Sequence, residues 1–194
     1  RNRIGRLYAD GRADHNFNPS ADTYPCILAP QADDAVLLGG TFNSLQSGAD
    51  TRHHIARVHS DGATDAAYDP GADSYINTFL QQPDGKIVAA GRFTQLGAQL
   101  LNYVGRMNAA GTVEAGYNPD ADWFLFGAAL QADGKVLAAG AFTKFGAVDR
   151  SRIARLNADG SLDATFTNGV DDAAYSFIVK PDGKIVVGGL FTQA

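Results

Sequence analysis

Cysteine, methionine, tryptophan and glutamate are almost missing from this chain, which has one residue of each. With Cys26 alone, no intrachain disulfide can form, and no Cys pair offers a zinc or redox motif. Apart from Glu114 the acidity is carried by aspartate. Aspartate suits turns and caps better than exposed helices, so helix content should be minimal. Long apolar runs are missing too: Ile185 to Val187 stops at Gly188-Gly189, far short of a bilayer span. Basic residues are not in excess, since 16 Lys and Arg against 21 acidic residues give a formal net charge of -5, which argues against a nucleic-acid partner. No Gly-x-Ser-x-Gly elbow, His-Glu-x-x-His or phosphate loop occurs, so the sequence carries no enzyme motif. It opens at Arg1 without an initiator Met or a signal-peptide pattern, as expected of a mature form or a piece of something longer.

Repetition is what the chain has in abundance. Ile4-Gly-Arg-Leu, Ile55-Ala-Arg-Val, Val104-Gly-Arg-Met and Ile153-Ala-Arg-Leu recur at a period of about 50 residues across all 194. Such a period, rich in glycine and β-branched residues, predicts one all-β domain over residues 1–194: a β-propeller of four-stranded antiparallel blades with units starting near residues 4, 55, 104 and 153.

The hairpins can be read directly. Pro83-Asp84-Gly85 suits a three-residue loop, with glycine at the left-handed position. The signal returns at Ala132-Asp133-Gly134 and Pro181-Asp182-Gly183, whereas Ala32-Asp33-Asp34 lacks the glycine and should make a looser turn. The strands that follow, such as Lys86 to Gly91, are apolar on both faces and end in small residues, as expected near a propeller axis. Phe42, Phe93, Phe142 and Phe191 should fill the space between blades. A second hairpin around Ala158-Asp159-Gly160 sets Arg155 opposite Asp163. The same register gives Arg6 with Asp14, Arg57 with Asp65 and Arg106 with Glu114, so an ion pair is expected in every unit, with a structural role.

The two long motifs, Pro181 to Thr192 and Ile153 to Phe166, resemble the delta-60 repeat family of bacterial β-propellers, and the resemblance covers the whole chain. It implies a domain of unknown function in a large secreted or cell-surface bacterial protein, and it brings no catalytic residue. The chain begins inside the Ile-x-Arg strand and finishes at the strand that should precede it. Either the terminal strands close a ring, or the chain is part of a larger propeller. An unclosed array should associate with itself or with other propeller repeats.

Candidate sites lie where the repeat is broken, or where it would converge on an axis. Asp22, Asp73, Asp122 and Asp171 follow each closing turn. In a closed ring they would be able to hold Ca²⁺, although turn capping is the simpler role. The clearest insertion, Ser44 to His54, brings Arg52, His53 and His54 into one loop. Tyr103 offers aromatic contact area in the equivalent loop of the second unit, and Trp123 replaces a small residue ahead of the third inner strand, where it serves either as strand core or as a sugar-stacking ring. Three readings are open: a non-enzymatic scaffold or adhesion module binding a protein, a lectin with one shallow glycan site per blade, and a hydrolase with an axial site.

Overall fold

Each repeat builds the same sheet, and its residue order explains why. The computed structural model describes residues 2–194. In the first repeat β1 (Pro25–Pro30), β2 (Val36–Gly40), β3 (Ser44–Leu45), β4 (Asp50–Thr51) and β5 (Ile55–Val58) follow one another. The second gives β6 (Ile76–Gln81), β7 (Ile87–Gly91), β8 (Gln95–Leu96), β9 (Gln99–Leu100) and β10 (Val104–Met107). The third gives β11 (Leu125–Leu130), β12 (Val136–Gly140), β13 (Lys144–Phe145), β14 (Val148–Asp149) and β15 (Ile153–Leu156), and the fourth gives β16 (Ala174–Val179) and β17 (Ile185–Gly189). The sheets are antiparallel, in the orders β1-β2-β5, β6-β7-β10, β11-β12-β15 and β16-β17, with β3-β4, β8-β9 and β13-β14 as small separate hairpins. One short 3₁₀ turn at Gln46–Gly48 is the only helical element among the described residues.

The fourth strand expected in each unit is reduced to a single bridge: Leu7 with Ala13, Val58 with Thr64, Met107 with Val113 and Leu156 with Leu162. In three units the aspartate that follows ends it. Asp14, Asp65 and Asp163 each accept the N–H two residues on, from Asn16, Ala67 and Thr165, and this local turn competes with the ladder. The first hairpin keeps the shape of the others despite lacking glycine, because Asp34 itself takes the left-handed conformation at φ 60°. Each first strand carries a register shift, at Cys26, Asn77, Phe126 and Tyr175. Just ahead of it, the carbonyl of the residue that precedes the strand approaches the second strand so closely that a Cβ on Gly91 would stand 2.1 Å from the Tyr75 oxygen. Gly40, Gly140 and Gly189 are held in the same way.

Sheets stack face to face in chain order. Leu37 and Ile55 of the first meet Ile76, Phe79 and Phe93 of the second. Val88 and Val104 of the second meet Leu125, Val136 and Phe142 of the third. Ala139 and Ile153 of the third meet Val170 and Ala174 of the fourth. Each large buried side chain contributes roughly 1.5–3 kcal/mol to this stacking. The N-terminal segment covers the outer face of the first sheet through Ile4, Phe17 and Ala21. Along the inner edge β1 packs on β6, β6 on β11 and β11 on β16, and no comparable packing among the described residues returns from β16 to β1. Of the two arrangements expected, the one closed by the chain's own terminal strands is therefore not formed.

Candidate functional site

One rim of the array gathers the positions at which the repeats differ. The start of each first strand, the end of each second strand and the residue before each Ile-x-Arg strand all come to this rim. That last residue is left-handed in every unit although it is never glycine: Arg3, His54, Tyr103 and Arg152 have φ of 67°, 65°, 66° and 64°. Three of these side chains lean on the aromatic residue that opens the next unit. Arg3 lies over Tyr24 at 5.6 Å, His54 meets Tyr75 edge-on at 5.6 Å, and Tyr103 meets Phe124 edge-on at 5.4 Å. In the fourth unit Ala173 stands where the ring would be, and Arg152 turns instead to donate to the carbonyls of Ala141 and Phe142.

Between the second and fourth units the rim becomes continuously aromatic. Trp123 stacks on Phe124 at 4.7 Å, Phe126 meets Tyr175 at 5.1 Å, and the Arg92 guanidinium sits over Phe124 and Phe126 at 5.0 and 5.8 Å. Trp123 is 50% exposed and Tyr175 44%. Leu125 is the strand-core residue of its run, so Trp123 is displaced to the surface from the core position it was offered by sequence. Tyr103 and Trp123, singled out separately, both contact the same Phe124. Phe126 and Tyr175 reach the patch because the register shift turns them out of the pleat. Phe126 belongs to the aromatic run Trp123 to Phe126 that the sequence offers to a rim, whereas Arg92 and Tyr175 were not marked by sequence; the signal for Arg92 was its variability against Thr41 and Ala141 at one repeat position.

The Ser44 to His54 insertion is less available than its composition suggested. It folds back on its own unit: the Gln46 N–H donates to Pro19 O at 2.7 Å and its side-chain amide to Gly62 O at 2.8 Å. Arg52 is largely buried, with Nη2 donating to Asp65 O at 3.3 Å and Nη1 3.8 Å from Asp69. His54 is buried and His53 points elsewhere, to Asn43 Oδ1 at 3.2 Å. Both histidines border an open cleft of about 670 Å³ with Asp69, Asp73 and Gln95. Among the described residues no three His, Cys, Asp or Glu side chains gather as a metal site would need.

The recurrent aspartates are each committed to their own loop. Asp73 Oδ1 accepts from the N–H groups of Thr94 and Gln95 at 2.8 and 2.9 Å, and Oδ2 from the Thr94 hydroxyl at 2.6 Å. Asp122 does the same with Thr143 and Lys144, and Asp171 with Thr192 and Gln193. Asp22 caps Asn43 and Ser44. Burial pushes the Asp73 carboxyl up, but the Thr94 hydroxyl and the backbone donors outweigh it and hold it below the usual carboxylate range. In Asp73, Asp122 and Asp171 both oxygens are met by donors, and in Asp22 Oδ1 is, the geometry of a turn cap.

The ion pairs stand on the outer hairpins, away from the rim. Arg6 reaches Asp14 at 2.6 Å, Arg57 Asp65 at 2.5 Å, Arg106 Glu114 at 2.8 Å and Arg155 Asp163 at 2.9 Å. Every guanidinium also covers a ring, Phe17, Tyr68, Tyr117 or Phe166, at 4.3–4.8 Å. The longer Glu114 carboxylate bridges Arg106 and Lys86, whose Nζ is 3.0 Å away.

A family model described as a domain of unknown function (DUF5122) beta-propeller matches four stretches, residues 31–68, 82–117, 131–166 and 180–194. These stretches contain the hairpin motifs that carry the delta-60 resemblance. A search of curated proteins finds no match.

Proposed function

The chain belongs to the DUF5122 β-propeller family, and from that premise we propose that it is a non-enzymatic interaction scaffold of a secreted or cell-surface bacterial protein, engaging a protein partner through the aromatic rim. The observation that carries this reading is the patch of Trp123, Phe124, Phe126, Tyr175 and Arg92. Tryptophan, tyrosine and arginine are the residues that dominate binding energy at protein interfaces, and here they occupy positions that folding leaves free to vary. Rigid sheets hold them, so little side-chain freedom is lost on binding. Adhesion is the physiological role that fits such a module on a cell surface.

Peptides selected from a random library on the immobilised chain should bind at this patch. Trp123→Ala and Arg92→Ala should each weaken the selected peptides by about 10-fold or more, the effect of losing a hot-spot residue. Replacing Ser44 to His54 by the shorter loop of the second unit should leave binding unchanged. Peptides indifferent to both rim variants would overturn the proposal. The half-exposed Trp123 ring also favours a second reading, sugar stacking, and glycan-array binding lost in Trp123→Ala would decide for it.

A further inference from the structure

The joints between successive units repeat one small motif, and at one joint it is left open. The residue two ahead of a capping aspartate meets the residue two ahead of an Ile-x-Arg strand. Between the second and third units these are Asp120 and Asn102, and Asn102 Nδ2 donates to Asp120 Oδ1 at 2.7 Å. Between the third and fourth, Gly169 lies directly on Ser151, so that a Cβ on it would stand 2.3 Å from the Ser151 oxygen. Between the first and second the pair is Gly71 and His53, and a Cβ on Gly71 would meet nothing within 4 Å. The cleft of about 670 Å³ opens at this place, and every residue that lines it lies between Asn43 and Ala98.

The walls of the cleft carry hydrogen-bonding groups with capacity to spare. Asn43 Oδ1 accepts from His53 Nδ1 at 3.2 Å, which leaves His53 Nε2 as an acceptor and the Asn43 amide nitrogen as a donor. Gln95 spends its amide nitrogen on Gly97 O at 2.9 Å and keeps Oε1. Asp69 stands where the other units have Asn18, Asn118 and Thr167. Its ion-pair contact, Arg52 Nη1, is 3.8 Å away, beyond hydrogen-bond reach, so its carboxylate has room for closer donors. Asp73, by contrast, has both oxygens taken by its cap. Pro70, Ala72 and Ala98 add apolar surface beside these groups.

We infer that this cleft is a carbohydrate site that takes a neutral pyranose. A sugar hydroxyl both donates and accepts, which suits a wall that offers Asp69, His53 Nε2 and Gln95 Oε1 as acceptors and Asn43 as donor. Two neighbouring hydroxyls match the two oxygens of Asp69, and the C–H face of the ring covers Pro70 and Ala98. Asp69 and Asp73 together disfavour an anion, while Arg52 already answers the Asp69 charge and so removes the advantage of a cation. The volume lies within the range of small-molecule sites. None of these residues belongs to the Trp123 patch, and the inference stands whether or not that patch binds a protein.

The test is a titration of the ¹⁵N-labelled chain with glucose, galactose, mannose and N-acetylglucosamine. At least one of them should shift the amide signals of Gly71, Gly97 and Ala98 saturably. Asp69→Asn should weaken that sugar by about 10-fold or more, since it removes a charged acceptor. A double His53→Asn, Gly71→Asp variant rebuilds the closed pair of the next joint, on the left-handed backbone that Asp120 adopts at φ 57°. It should abolish the shifts and keep a cooperative thermal melt. The absence of a saturable shift up to about 0.1 M of any of the four sugars would overturn the proposal. So would shifts centred on Trp123, undiminished binding in both variants, or saturation of the cleft by ethylammonium but by no sugar.

Discussion

His54 shows how a single rim residue couples folding to pH. Its Nδ1 lies 3.2 Å from Gly40 O, so the neutral ring donates there while its edge rests on Tyr75. Burial lowers its pKa below the usual 6.5, against the opposing pull of the Gly40 carbonyl, with His53 adding to the lowering and Asp73 and Asp22 opposing it. The folded protein therefore binds the proton less well than the unfolded chain. This contribution to stability is complete above the unfolded pKa and is lost as pH falls through it toward the folded value. His54→Tyr copies the residue that Tyr103 supplies on the same left-handed backbone, and it keeps a ring against Tyr75. Urea melts between about pH 7 and 5 should become flatter in this variant. An unchanged slope would place the titration elsewhere.

The hairpin is the element the sequence specifies most fully, and its one irregular copy is a test of why. Gly85, Gly134 and Gly183 close their loops with φ near 81° and turn bonds of 2.9–3.0 Å, whereas Asp34 does so at φ 60° with a bond of 3.3 Å. Asp34→Gly should stabilise the chain by about 0.5–1 kcal/mol, the left-handed strain relieved less the added freedom of the unfolded chain. Thermal melts check this, and a lower Tm would mean that Asp34 is not strained. Turns and register were legible because Asp-Gly spacing and the Arg-carboxylate pairing are local to one hairpin. The fourth strand was not, because whether Asp65 serves the ladder or its own turn is decided by competition at Ala67. The aromatic patch was only half legible. Trp123 stood out as a break in the repeat, but Phe126 and Tyr175 reach the rim through a register shift that depends on the carbonyl-to-glycine approach between β11 and β12, and between β16 and β17.

At the scale of the whole molecule, stability should be graded along the array, because each sheet depends on its neighbours for burial. Val88, Ala89 and Ala90 of β7 and Leu137, Ala138 and Ala139 of β12 are at most 1% exposed, since both strands are covered on two faces and paired on two edges. In β17 the equivalent Val186 is 51% exposed, and only one edge is paired. Local opening of a strand costs what its own contacts supply, so amide exchange in dilute solution should be slowest in β7 and β12 and fastest in β17. Equal protection of β7 and β17 at high dilution would contradict this, since it would require the half-covered sheet to open only with the whole array.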